Sequence, residues 1–553
     1  MIPVVEVLSS IPQQEKSPTV LLLISIIEQQ QAVIAQQQEE ILLLKEKVEV
    51  LETEVRRLKK LPPKPKITSN LPKDEDDDTP DSSSHKDDPA GGSGQEERDP
   101  RKPRKRKKQL PIHKTEIIPP KQLPSGSRLL GYQDYTVQEL IIKPHNIRYR
   151  LARYRTPDGK ILIGELPGDL QGNHFGTTLR SYILYQHYHQ RVTQPLIYKQ
   201  LTEWGIEISS GQISNILTAG KEAFHLEKEQ LLTAGINASS YIQVDDTGAR
   251  HDGKNGYCTH IGNDAFAWFS STDSKSRINF LKLLRGASLY YTLNESAYRY
   301  MASQGLPKAV LAVIQSSIVL KCEDDEQWNS HLQQLQVSNK RHIRIATEGA
   351  LLGTLSASGF PPDLVVLSDD AGQFNILQHA LCWIHANRLF QKIIPLNETH
   401  AKALEWVQSW IWALYADLRQ YKKAPNKSAK KAIELDFDAI CQTKTSFETL
   451  NRALKRLAKN KKELLLVLDH PDIPLHNNLS ERDIREYVIK RKISGSTRSK
   501  NGRRCRDTFI SLIKTCKKQC ISVWDFLKDR TSGENRIPYL PDLVSGNACL
   551  LKP

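Results

Sequence analysis

The stretches YIQVDDTGA (Tyr241–Ala249) and PDLVVLSDDAGQF (Pro362–Phe374) decide the fold. Each is a short β-prone apolar run that stops at two adjacent carboxylates, Asp245 and Asp246 in the first, Asp369 and Asp370 in the second. After the first run, GYCTHIGNDAFAWFSS (Gly256–Ser271) predicts a hairpin of two more strands turning at Asn263-Asp264. SKSRINFLKLL (Ser274–Leu284) then begins a helix. After the second run, ILQHALCWIHANRLF (Ile376–Phe390) predicts another strand that leads into a helix. Strands and helices in this order predict an α+β protein.

A third acid belongs with these two pairs. PLHNNLSERDIREYVIKRK (Pro474–Lys492) places Glu481 in the first turn of a basic helix, with Asn478 or Ser480 as the expected cap. Two strand-end acids and one helix acid suit the hydrolysis of phosphodiesters. Two divalent ions roughly 4 Å apart activate a water and absorb the charge of the leaving oxygen. Carboxylate oxygens are the ligands that Mg²⁺ prefers, and Mn²⁺ is able to substitute. Asp245, Asp369 and Glu481 are therefore the candidate catalytic and metal-ligating residues, with Asp246 and Asp370 as alternative acids. Pleat alternation puts Asp245 and Asp246 on opposite faces, without saying which face holds the ions. Arg482, Arg485, Arg491 and Lys492 lie on or after the Glu481 helix and are candidates for holding DNA phosphate; Arg485 shares the Glu481 face. An exposed helix laced with ion pairs is the plainer account of that spacing.

Working outward, the 553 residues divide into several units. In residues 1–65, Val20, Ile27, Ile34, Ile41, Val48 and Val55 fall seven apart. Leu23, Leu44, Leu51 and Leu58 occupy the partner row, with Gln30 and Gln37 in it. This predicts a parallel two-stranded coiled coil, and hence a homo-oligomer. Residues 66–109 carry an acidic run, Asp74–Asp78, and the basic block RKPRKRKK (Arg101–Lys108), too charged to fold alone. Residues 110–180 predict a small β-rich unit with a turn at Pro157-Asp158-Gly159.

Residues 181–235 predict a helical region. Within it, PLIYKQLTEWGIEISSGQISNIL (Pro195–Leu217) suggests helix-turn-helix, with Gly205 at the turn and Ser209 or Ser210 as cap. Gln212, Ser214 and Asn215 would then point outward to DNA. Many helix pairs share this pattern and touch no DNA.

The net charge of +15 suits a polyanionic partner. The eight cysteines form no CxxC pair, so a reduced interior is expected. No membrane span is expected, and the chain should work where the cell's DNA lies, in the cytoplasm at the nucleoid. Cys382 and His385 are spaced as a zinc half-site, but no second pair accompanies them, and they are expected to be core and supporting residues.

From about residue 241 to 530 the chain resembles transposases of the insertion-sequence-66 type. VDDT (Val244–Thr247), DDAGQF (Asp369–Phe374), CWIHANRLF (Cys382–Phe390) and HNNLSERDIRE (His476–Glu486) stand in the family's order. Arg491-Lys492, Gly495-Ser496 and the closing TFISLIKTCKKQCISVWDFL (Thr508–Leu527) follow. The resemblance implies an RNase H-like core over 236–390 and 469–553, split by a helical insertion at 391–468. It implies a DDE transposase acting on transposon ends and target DNA, with Mg²⁺ as cofactor, and it leaves room for accessory proteins of the element. The alternative is a catalytically inactive, transposase-derived DNA-binding protein or regulator. Three departures stand out. Residues 110–180 lack the family's cysteines, His476 replaces an Asp, and 293–345 look like added material.

Overall fold

The structure, a computed structural model, describes residues 111–546 other than 123, 125, 126, 171 and 287, together with residues 26, 29 and 30. The expected coiled coil and most of the charged segment 66–109 lie outside the described residues. The part from Tyr132 onward forms one compact unit.

It opens with an exposed hairpin, β1 (Arg153–Arg155) and β2 (Ile161–Ile163). The turn falls at the expected place, and Gly159 takes the left-handed conformation there (φ 84°). Between residues 111 and 150 the described residues form no strand or helix, whereas a β-rich unit was expected over 110–180. Four helices follow: α1 (Thr177–Leu184), α2 (Gln194–Glu203), α3 (Ser210–Thr218) and α4 (Glu222–Asn237). Then come β3 (Tyr241–Gly248), β4 (Tyr257–Gly262), β5 (Ala267–Thr272) and α5 (Arg277–Arg285).

The added material supplies β6 (Tyr291–Thr292), α6 (Glu295–Ser303), α7 (Lys308–Gln315), β7 (Lys321–Cys322) and α8 (Asp325–Gln334). It packs on α9 (Lys340–Ala357). Gly353 permits this: a Cβ there would stand 2.2 Å from the Thr292 carbonyl oxygen. Next are β8 (Val365–Ser368), β9 (Gln378–Leu381) and α10 (Trp383–Gln391). The insertion expected at 391–468 is helical, with α11 (Glu398–Lys423), α12 (Lys427–Gln442), α13 (Glu448–Lys459) and α14 (Lys461–Leu464). The chain closes with α15 (Asn478–Ser494), α16 (Lys500–Lys518), α17 (Val523–Ser532) and α18 (Leu540–Val544).

The fold is α+β around a mixed five-stranded sheet of order β5-β4-β3-β8-β9, in which β3 pairs antiparallel with β4 and parallel with β8. The sheet divides the core. Ile242, Val244 and Val366 face one cluster with α4, α5, α9 and α16 side chains. Val365 and Leu367 face a second cluster built from the helical insertion. Alternate residues of a strand point to opposite faces, so strands covered on both sides read as nearly continuous apolar runs. Among the described residues, no helix is long and apolar enough to cross a membrane.

Candidate active site

The register of β3 against β8 builds the site. Tyr241 pairs with Val365 and Gln243 with Leu367. Two residues further along stand Asp245 and Asp369, level with one another where the two parallel strands part. Asp369 lies just past the end of β8, whereas Asp245 is in mid-strand, because β3 does not stop at its acids as expected but stays paired with β4 as far as Gly248. Tyr241, Gln243 and Asp245 share one face of β3, and Ile242, Val244 and Asp246 the other.

Helix α15 covers the Asp245 face. The backbone N–H of Ser480 donates to Gln243 Oε1 (3.3 Å), and the Asn477 side-chain amide donates to the Val244 carbonyl (2.9 Å). His260, opposite Asp245 on β4, reaches Ser480 Oγ (2.7 Å) and Asp483 Oδ2 (3.1 Å). The helix begins one residue earlier than expected. Asn477 holds the cap position, and neither Asn478 nor Ser480 caps it. Asn477 does not cap with its side chain either: its amide nitrogen is turned to β3, and its Oδ1, the atom that could accept from the first N–H groups of the helix, makes no hydrogen bond. Glu481 does lie in the first turn.

The five acids divide by their partners. Asp246 accepts from Gln373 (2.7 Å) and pairs with Lys275, so it ties the β3 end to the DDAGQF loop and to the start of α5. Asp370 is held by Arg456 of α13, whose Nε stands 3.2 Å away. Asp245 and Asp369 accept only from nearby backbone, Asp245 from the N–H of Asp246 (2.7 Å) and Asp369 from that of Ala371 (3.2 Å). Glu481 Oε1 lies 3.3 Å from His385 Nε2 and 3.5 Å from Arg388 Nη1. It is a buried oxygen with no well-formed hydrogen bond.

The electrostatics follow. Burial pushes the Asp245 carboxyl up to about 7, and the like charges of Asp369, Asp246 and Glu481 add to it. Burial also raises Asp369, against the pull of the Ala371 N–H, His385 and Lys275. Asp245, Asp369 and Glu481 are therefore brought within Coulombic range of one another. As they stand, with Glu481 leaning toward His385 and Arg388, no three His, Cys, Asp or Glu side chains among the described residues form a ready metal cluster.

Of the basic candidates, Arg491 donates to Thr247 Oγ1 (3.4 Å), and Arg482, Arg485 and Lys492 are exposed. On α3, Gln212 and Asn215 are exposed and Ser214 is half-buried. Ser209 caps that helix in a reciprocal box, its hydroxyl accepting from the Gln212 N–H (3.1 Å) and its own N–H donating to Gln212 Oε1 (2.7 Å).

Lys275, Gln373, Arg388 and Arg456 were not foreseen. Only Arg388 carried a signal, lying one turn beyond His385 in the same helix. Cys382 is buried and accepts from the Asn477 N–H (3.3 Å), while His385 faces Glu481.

This is a mixed-sheet α+β protein with two carboxylates, in no ion pair among the described residues, level with one another where two neighbouring parallel strands part, and a third acid on a covering helix. The family described as Transposase IS66 family matches residues 172–298 and 324–504, more than half of the chain. The chain belongs to that family. The unmatched stretch between the two blocks falls within the added material packed on α9. The chain is also similar to the uncharacterized protein y4jO of Sinorhizobium fredii (strain NBRC 101917 / NGR234). The two are 41% identical over 321 residues, which span 58% of this chain and all of the relative. Membership of a transposase family implies nuclease or transferase chemistry on DNA and, in general, divalent metals.

Proposed function

We propose that the chain is an active DDE transposase. It cleaves a DNA strand at the ends of an insertion sequence and joins the resulting 3′-hydroxyl to target DNA. The level placement of Asp245 and Asp369, with neither carboxylate in an ion pair among the described residues although Lys275 stands nearby, is the observation that carries this reading. The donor set fits hard divalent cations: three carboxylates, one with a buried orphan oxygen and one pushed up to about 7 by uncompensated burial. Asp245, Asp369 and Glu481 would hold two Mg²⁺, with Mn²⁺ able to substitute. When bound, such a pair supplies an activated water or hydroxyl and a sink for the charge of the leaving oxygen.

The chain's own residues do the rest. Lys275 and Gln373 take up Asp246, and Arg456 takes up Asp370, so the second acid of each pair anchors its strand end and the first stays free. Arg388 and His385 orient Glu481. Arg482, Arg485 and Lys492 offer exposed positive charge to the DNA backbone, beside Arg491. The sheet and its flanking helices then form an RNase H-like core of 236–390 and 469–553, interrupted by the insertion at 391–468. Helices α2 and α3 act as helix-turn-helix, with α3 reading base edges through Asn215 and the Gln212 amide nitrogen, beside Ser214. Residues 1–65 assemble the subunits, and accessory proteins of the element join them on DNA.

The test uses DNA carrying the element's own ends. Asp369→Asn should abolish Mg²⁺-dependent nicking and leave binding to those ends intact. Asp370→Asn should retain nicking. Unchanged nicking by Asp369→Asn refutes the assignment.

A further inference from the structure

A second charged site lies on the far part of the Glu481 helix. Lys490 of α15 and Arg506 of α16 are both more than nine-tenths buried. No carboxylate among the described residues lies within 4 Å of either. They line a cavity of about 20 Å³ beneath Arg191 and Glu486, walled by Tyr188 and Tyr487. A water needs roughly 10–15 Å³ on this scale, so the cavity takes one small ion and nothing much larger.

The donors facing it are underused. Lys490 Nζ donates to the His187 carbonyl (2.6 Å). It also stands 3.5 Å from His187 Nδ1, but that nitrogen lies 3.0 Å from the Val192 carbonyl and is the donor there, so it has no lone pair for the ammonium. Arg506 gives one nitrogen to the Gly495 carbonyl (3.1 Å). Glu486, the one acid in the lining, is shared among Lys514, Lys517 and Arg191 (2.8, 3.5 and 3.3 Å). Lys490 and Arg506, neither paired with a carboxylate among the described residues, therefore face a space whose one acid is already matched, with Arg191 of that pairing at its mouth. The chain around it is unusual as well: Tyr185–His189 is a single π-helical turn, and Arg191 adopts φ 64°. Both features recur where backbone is bent around a ligand.

We infer that this cavity binds a free halide-sized anion between Lys490, Arg506 and Arg191, bracing the Glu481 helix against the Tyr185–His189 turn. Burial and the neighbouring charges of Arg506 and Arg191 lower Lys490 to about 7, and a bound anion would raise it again.

The test uses the full chain in sodium chloride, compared with sodium gluconate at equal ionic strength, because gluconate is too large for the cavity. The wild type should broaden the ³⁵Cl resonance and melt several degrees higher in chloride. Lys490→Met should lose both effects while keeping its far-UV circular dichroism. Arg191→Gln, at the half-exposed mouth, should weaken the apparent chloride affinity at least threefold and decides the matter if Lys490→Met does not fold. No broadening by the wild type, or equal broadening by either variant, overturns the site. Displacement of chloride by duplex DNA overturns the free-ion assignment.

Discussion

Asp483, buried, and Asp245, half-buried, are two carboxylates at one interface, that of α15 with β3 and β4, and they are served in opposite ways. Asp483 has His260 at 3.1 Å, Lys514 at 2.9 Å and Lys518 at 3.0 Å. Burial pulls its pKa up, but the His260 hydrogen bond and the charges of His260, Lys518 and Lys514 hold it well below the carboxylate range. Asp245 has one backbone N–H and three like charges, and it stands near 7. A charge that serves only the fold is matched by the fold itself. A charge left unmatched beside two other acids is, under the proposed function, one that takes its cations from outside.

Asp245→Asn should break the contrast most sharply. We expect Mg²⁺-dependent cleavage of DNA carrying the element's ends to fall by at least about a thousandfold, since each tenfold reflects about 1.4 kcal/mol of lost transition-state stabilisation. The metal-free melting temperature should hold or rise. Cleavage within tenfold of wild type would remove Asp245 from the chemistry.

Asp483→Asn should do the reverse. It leaves Lys518 without its carboxylate and Lys514 with Glu486 alone, both mostly buried, and should cost about 3 kcal/mol in urea unfolding, the low end for breaking a buried pair. A loss below about 1 kcal/mol would mean that the network matters little.

The smallest effect is the pH dependence. A carboxyl at 3.8 unfolded and about 7 folded makes the native state bind more protons between those values. Asp245 should therefore lower metal-free stability as pH rises from 4 to 7, by roughly 1–2 kcal/mol after allowing for water penetration. Asp483, lowered when folded, contributes stability above its unfolded pKa and loses it only in stronger acid. Unfolding curves at several pH values should show the decline in the wild type, its loss in Asp245→Asn and its suppression by Mg²⁺. A flat wild-type profile would contradict the raised carboxyl.

Much of this was legible in the residues. The strand before Asp245, the hairpin turning at Asn263-Asp264, the Asp369 strand end and the helices after Ser276 and Cys382 all carry strong local pattern, and each forms. The α+β class followed from their order. The choice within each acid pair was not legible, because it depends on which face of β3 is covered by a helix more than two hundred residues later. The partners on which our choice rests, Lys275, Gln373 and Arg456, come from three elements whose adjacency no local spacing encodes. The start of α15 was missed because Asn477, an excellent cap by residue type, spends its amide on the backbone of β3. The added material was visible as surplus length, and its packing on Gly353 was not.

That amide also sets an order of events. Strand β3 is held in line with its covering helix by Asn477 on Val244 and by Ser480 on Gln243 and His260, and a slip of one residue would swap Asp245 for Asp246. During synthesis these proof-readers emerge last. A chain broken off before residue 477 has both aspartate pairs, registered through β4 and β8, but lacks these contacts on β3 and also lacks Glu481. Under the proposed function, an unfinished copy on the ribosome thus lacks its third acid and should not cut the chromosome beside it.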